Sequence, residues 1–305
     1  MPPLAELHLH LDGSVEPDTL LEIDPSLTPE EIAANTAYSD FAGFLKSFVW
    51  VNKRLRTPAD YAHVARRLFE RLESEGVTYA EVILSAGVVL WKEQNLSAIY
   101  DALMREVSRS PITVRWIFDA IRQFGPETAK PVFDLAAERV GEGVVAIGLG
   151  GDEERGPARL FANLYREARD RGLRLTCHAG EMAGPASVWE ALEIGSERIG
   201  HGIRAIEDPT LMAHLTAKNI PLEVCITSNL RTGAVASLAA HPVRRLYDAG
   251  VPIILNSDDP ALFGCTLASE YALAGLEFGF TDAQLAELAR NAFRYAFEES
   301  VAVGR

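Results

Sequence analysis

Several things are scarce in this chain, and each scarcity excludes something. Three cysteines in 305 residues, Cys177, Cys225 and Cys265, are too widely spaced for a disulfide framework and fit a reducing compartment such as the cytoplasm. No stretch approaches the ~18 uninterrupted apolar residues of a membrane span. The first residues lack the basic and apolar regions of a secretory signal. Positive charge is in deficit: 29 Lys and Arg against 43 Asp and Glu give a formal net charge of −14, which opposes non-specific binding to nucleic acid or to an anionic membrane. No strand runs into a GxGxxG or P-loop sequence, which weakens a nucleotide-cofactor reading. Repeats, low-complexity tracts and linkers are also missing, so residues 1–305 read as one domain.

What is present is a regular alternation. Leu4–Leu11 is a strand by its pattern, and further strands are expected at Val77–Leu84, Ile112–Phe118, Val144–Leu149, Leu173–Cys177, Ile199–His201, Pro221–Ile226 and Pro252–Leu255. Helical patterns fall between them: Ala59–Glu75, Leu96–Ser108, Pro126–Arg139, Pro157–Arg171, Ala186–Ile194, Pro209–Lys218 and Pro242–Ala249. Thr281–Glu299 closes the chain. Strands alternating with helices imply parallel pairing. Eight such units at this length predict an α/β fold, the TIM (β/α)8 barrel. One long excursion, about residues 16–61, interrupts the first unit. It opens a helix at Thr28-Pro-Glu-Glu and carries Phe41, Phe44, Leu45 and Phe48 at helical spacing. These aromatics fit either ordinary core or a helical lid over a ligand.

The chemistry-bearing residues collect at predicted strand ends, where barrel enzymes keep reactive groups. His8 and His10 share a strand face, because side chains alternate. Asp12 follows on that face, and Gly13 marks the turn. His178 closes strand five in His178-Ala-Gly-Glu181, His201 closes strand six, and Asp258-Asp259 closes strand eight. The remaining three of the seven histidines, His63, His214 and His241, fall in helices or loops and read as surface residues. Three imidazoles (His8, His10, His178) and one carboxylate (Asp258) suit Zn²⁺, with Fe²⁺ or Mn²⁺ as alternatives. Such an ion lowers the pKa of a water from ~15.7 towards ~7. Strand four ends without the lysine of two-metal barrels, which favours one metal per chain. Glu181 sits too near His178 in the turn for a second ligand and reads as a proton carrier. His201 reads as a base or an orienting group. Asp259, diverging from Asp258, is free to hydrogen-bond a substrate nitrogen.

His8-Leu-His-Leu-Asp-Gly13, His178-Ala-Gly-Glu181, Gly200-His-Gly202, Thr227-Ser-Asn229 and Asn256-Ser-Asp-Asp-Pro260 together resemble the adenosine deaminase family of the amidohydrolase superfamily. The resemblance implies hydrolytic deamination at C6 of a 6-aminopurine nucleoside. By position, His8, His10, His178 and Asp258 would hold Zn²⁺ and Glu181 would protonate purine N1. His201 would help deprotonate and orient the water. Asp259 would meet N7, the Gly151 backbone N–H would meet N3, and Asp12 with His10 would meet the sugar hydroxyls. Phe41, Phe44 and Phe48 would line the lid. Adenine deaminases of this family usually have Glu at the position of Asp12, so Asp12 leans towards a nucleoside. Strand three ends in Phe118-Asp-Ala-Ile-Arg-Gln123, whose Asp119 and Arg122 carry no assigned role. Arg122, Arg54 and Lys53 are candidates for an extra acidic group on a modified nucleoside such as aminodeoxyfutalosine or an N6-modified AMP, and equally for solvated surface. Two outside readings remain: another metallohydrolase, which would carry two metals, and a purine-binding protein without turnover.

Overall fold

The computed structural model describes residues 3–298. Eight strands, β1 (Leu4–His10), β2 (Val77–Leu84), β3 (Thr113–Ile121), β4 (Val144–Gly150), β5 (Arg174–Ala179), β6 (Arg198–His201), β7 (Leu222–Val224) and β8 (Ile253–Leu255), pair in sequence order. Every pairing is parallel. The circle closes between the last strand and the first through a parallel bridge of Leu9 with Asp258. His10 N–H donates to Asp258 O at 2.8 Å and Asp258 N–H to His8 O at 3.1 Å. The seam of the barrel therefore runs through candidate site residues. This is the TIM barrel expected from the alternation.

All of β1 is buried, because helices cover one face of each strand and the barrel interior covers the other. Leu7 and Leu9 alternate with Glu6, His8 and His10, so the interior of this strand is polar. Asn256 pins the strand: its Oδ1 accepts the Leu7 N–H at 2.8 Å and the His8 N–H at 3.1 Å.

The excursion holds three helices, Pro17–Ile23, Pro29–Thr36 and Phe41–Asn52. Thr28 and Glu31 form a reciprocal capping box at the second, which satisfies two otherwise orphaned backbone donors. Asp40 caps the third through the Gly43 N–H at 2.7 Å. That helix seats Phe44 on Phe263, with ring centroids 5.0 Å apart.

The observed elements differ from the expected ones in informative places. β3 runs three residues past Phe118 and so includes Asp119. β7 stops at Val224, and Ile226–Arg231 is a helix instead. The buried Glu270 carboxylate causes this, capping that helix by accepting the Ile226 N–H at 2.8 Å and the Thr227 N–H at 3.2 Å. Leu267–Phe278, which carries Glu270, is a helix the sequence pattern did not announce. The closing helix ends at Tyr295, and Glu299 lies outside the described residues. Among the described residues no helix is long and apolar enough to cross a membrane.

Candidate active site

The C-terminal ends of the strands surround a cavity of about 330 Å³. His10, His178, Glu181, His201, Asp258, Asp259 and Gly151 line it, and Phe41, Phe44 and Phe48 form one wall. His8 lies deeper, 1% exposed. Asp12 does not line the cavity: it is fully buried, with Oδ2 accepting the Ser85 N–H at 3.1 Å and Oδ1 unpartnered.

Two backbone requirements shape this rim. His201 and Asp258 adopt left-handed backbone, φ 60° and 67°, a region that costs side-chain-bearing residues energy and persists only where the surroundings impose it. Gly13 lacks a side chain because a Cβ there would stand 1.7 Å from the Asp259 carboxylate.

The proposed ligands converge. His10 Nε2 lies 3.2 Å from His178 Nε2 and 3.4 Å from Asp258 Oδ1, and His8 Nε2 lies 3.5 Å from that same oxygen. Ligand atoms of His8, His178, His201 and Asp258 lie within 4.8 Å of one another, as do those of His10, Asp258 and Asp259. His201 thus competes with His10 for membership of the donor set, with Asp258 common to both groups.

Partners behind the rim aim these donors. Glu223 Oε2 stands 2.7 Å from His8 Nδ1, the carboxylate–imidazole contact that turns the far nitrogen towards a metal. That far nitrogen, His8 Nε2, is buried with no hydrogen-bond partner. Ser228 Oγ donates to Asp258 Oδ2 at 2.6 Å, leaving Oδ1 for the imidazoles. An orphaned imidazole nitrogen among nitrogen and oxygen donors fits a divalent cation of the zinc type.

Charge states follow from burial and neighbours. Burial holds His10 down to about 3 and His178 well below its ordinary value, so both are neutral, as ligands must be. Burial also holds His201 down to about 4. For His8, burial is outweighed by Asp258 and Glu223, which raise it to about 10. The cluster therefore draws a positive charge, which a cation would replace with release of the His8 proton. Burial and the Asp258 charge push Glu181 up to about 8. Burial and Asp258 also raise Asp259 well above its ordinary value. Glu181 is therefore protonated at neutral pH and can donate.

The turn carrying Glu181 is built on a second acid. Glu153 accepts the N–H groups of Gly180 at 2.7 Å, Glu181 at 2.9 Å and Met182 at 2.8 Å, and the Ser187 hydroxyl at 2.5 Å. Arg122, 1% exposed, donates to Leu149 O and Cys177 Sγ at 3.2 Å and to His178 O. Arg122 is thus a buried clamp on two strand ends, neither surface nor free for substrate. Arg54 donates to Trp50 O at 2.8 Å and lies over the Trp50 ring. Lys53 and Asp119 line the cavity.

Of the three histidines read as surface residues, His63 is half-exposed beside Glu22 and His214 half-buried against Trp189. His241 departs from that expectation. It is 4% exposed, because its ring packs under Phe278 and bonds Asn229.

An eight-stranded parallel barrel whose strand ends gather imidazoles and a carboxylate beside a protonated acid has the build of a metal-dependent hydrolase. The chain belongs to the adenosine deaminase family, whose model matches residues 3–301. The aminodeoxyfutalosine deaminase of Streptomyces avermitilis is 38% identical over 99% of this chain and 88% of its own length. The adenosine deaminase of Serratia proteamaculans is 36% identical over 97% of this chain and 94% of its own. The crystal structure of adenine deaminase from Arthrobacter aurescens superposes with a TM-score of 0.91 at 29% identity, covering 99% of this chain and 96% of that one. An amidohydrolase from Burkholderia ambifaria with bound Zn gives 0.90 at 27% identity, covering 99% and 87%.

Proposed function

We propose that this chain deaminates a 6-aminopurine nucleoside hydrolytically, with one Zn²⁺ at His8, His10, His178 and Asp258. The observation that carries the reading is Glu181: a buried acid raised to about 8 beside the donor cluster, at the end of a slot walled by aromatics. Zn²⁺ in those donors supplies the Lewis acidity that makes a water nucleophilic at neutral pH. The side chains do the rest. Glu181 gives its proton to purine N1, which leaves C6 electron-poor. Asp259, which burial and Asp258 push towards its protonated form, hydrogen-bonds N7, and the Gly151 N–H meets N3. His201 orients the attacking oxygen. Phe41, Phe44 and Phe48 cover the purine and exclude bulk water.

The cavity also bears on the substrate's far end. Among the described residues no arginine lines it, and its lysines are Lys53 and Lys92. Lys92 is committed, donating to the carbonyls of Asn52 and Leu55 at 2.6 Å. A phosphate dianion would find one uncommitted ammonium, that of the exposed Lys53, which disfavours N6-modified AMP. The mouth instead presents Trp91 and Phe124, 56% and 41% exposed and stacked at 6.2 Å. This aromatic shelf favours a nucleoside with an aromatic 5′ extension, as an aminodeoxyfutalosine would carry, over free adenine, with Lys53 the cavity's uncommitted cation for its acidic group.

A panel of adenosine, deoxyadenosine, adenine, aminodeoxyfutalosine and N6-methyl-AMP, followed by ammonia release, tests this. The expected order of kcat/KM puts 5′-extended and plain nucleosides above adenine and the nucleotide. Zinc-loaded protein inactive on all five would overturn the reading, and metal analysis giving two ions per chain would favour another class of metallohydrolase.

A further inference from the structure

Behind His201 runs a buried polar chain that the catalytic reading leaves unused. Asn229 Nδ2 lies 3.1 Å from His201 Nδ1, and Asn229 Oδ1 lies 3.1 Å from His241 Nε2. The chain ends on the backbone, where the Val243 N–H meets His241 Nδ1 at 3.2 Å. His201, Asn229 and His241 are 1%, 0% and 4% exposed.

Heavy atoms alone do not fix imidazole tautomers or amide orientation, but a backbone donor at one end does. A peptide N–H only donates, so His241 Nδ1 is an acceptor, and the ring carries its proton on Nε2. That N–H needs an acceptor, which sets Asn229 with Oδ1 towards His241 and its NH₂ towards His201. The NH₂ only donates, so His201 Nδ1 is unprotonated and the proton of His201 sits on Nε2.

We propose that Asn229 and His241 are positioning residues that hold His201 as its neutral Nε2–H tautomer. The proposal deepens the deaminase reading and rests on it for its catalytic consequence. It separates two roles the site leaves competing. With Nε2 protonated, His201 has no lone pair for a metal, and His10 completes the donor set with His8, His178 and Asp258. Towards the attacking oxygen His201 is then a donor that fixes a lone pair, and not the base. Its Nε2 stands 3.7 Å from Glu181 Oε2 and 3.9 Å from Asp258 Oδ2, beyond hydrogen-bond reach of either, and the ring lines the cavity. The N–H is therefore offered to the pocket.

The test uses zinc-loaded protein with ¹⁵N-labelled histidine. Two-bond ¹⁵N–¹H correlations, with the His201 signals identified by their loss in His201→Gln, are expected to show a proton on Nε2. Asn229→Asp replaces the donor by an acceptor of nearly the same shape. It is expected to move the proton to Nδ1 and lower kcat by ~10²-fold, with KM changed little. His241→Gln keeps an N–H towards Asn229 and is expected to retain most of kcat, whereas His241→Leu loses about tenfold or more. A parent spectrum with the proton on Nδ1, or Gln and Leu variants of equal kcat, overturns the proposal. If the parent deaminates no purine, the deaminase reading falls, while the spectrum still decides the tautomer.

Discussion

Glu223 inside the barrel and Glu181 at its mouth are both buried, and their surroundings charge them oppositely. Deep inside, Arg198 sits between Glu223, 2.5 Å away, and Glu81, 2.6 Å away. All three are at most 1% exposed. Burial alone would raise Glu223, but the Arg198 cation and the His8 contact hold it below its ordinary value. At the mouth, Glu181 and Asp259 share a pocket with Asp258 and, among the described residues, no arginine, and both rise. Desolvation is common to the two regions, and the nearest fixed charge decides the outcome. Glu223 is held as an anion that orients His8. Glu181 is held as an acid with a proton to give, the role the proposed reaction assigns it.

Substitutions that keep shape and change only charge break this comparison most directly. Glu181→Gln is expected to lower kcat by ~10³-fold, the loss of a general acid, with zinc content and Tm unchanged; assay beside metal analysis checks it. Glu223→Gln should show the reverse pattern. Zinc affinity, read by chelator competition, falls ~10–100-fold, and much of kcat returns at saturating zinc. Equal behaviour of the two variants would erase the distinction between regions.

The pH profile sharpens it. Glu181 acts while protonated, and its pKa lies above the ordinary carboxyl value, so activity is present below that pKa and lost as pH rises through it. In kcat/KM an alkaline limb is expected at or below about 8, since a bound cation pulls the value down. A flat profile through pH 9 would mean that another group donates. The smallest effect belongs to the rim. Trp91→Ala is expected to reduce kcat/KM for a nucleoside with an aromatic 5′ extension by about 3–10-fold more than for adenosine, the worth of one stacking contact.

The fold was legible because its signal is local. Strand ends on His, Gly and Asp, and helices ending at Gly76, Gly172, Gly195 and Gly250, sit in short windows. So was the gathering of His8, His10, His178, Glu181, His201, Asp258 and Asp259 at one end of the barrel, since each stands at or just beyond a strand end in the sequence pattern. What supports the rim was not legible. Glu223 meets His8 across 215 positions, and Glu153 reaches the Glu181 turn across 28. Only an acid inside an apolar strand, as in Leu222-Glu-Val224, hinted at the first. His241 looked like a surface residue for the same reason: its partner Asn229 lies in a helix where strand seven was expected to end, a helix started by the remote Glu270.

The left-handed backbone at His201 and Asp258 has a consequence for anyone seeking a hardier form of this protein. Glycine would relax the conformation at either position, so a screen for heat resistance alone would reward replacements that abolish turnover. If the proposed roles of His201 and Asp258 hold, two of the chain's most tempting sites for thermal improvement are the two where a gain in durability and a loss of catalysis are the same mutation.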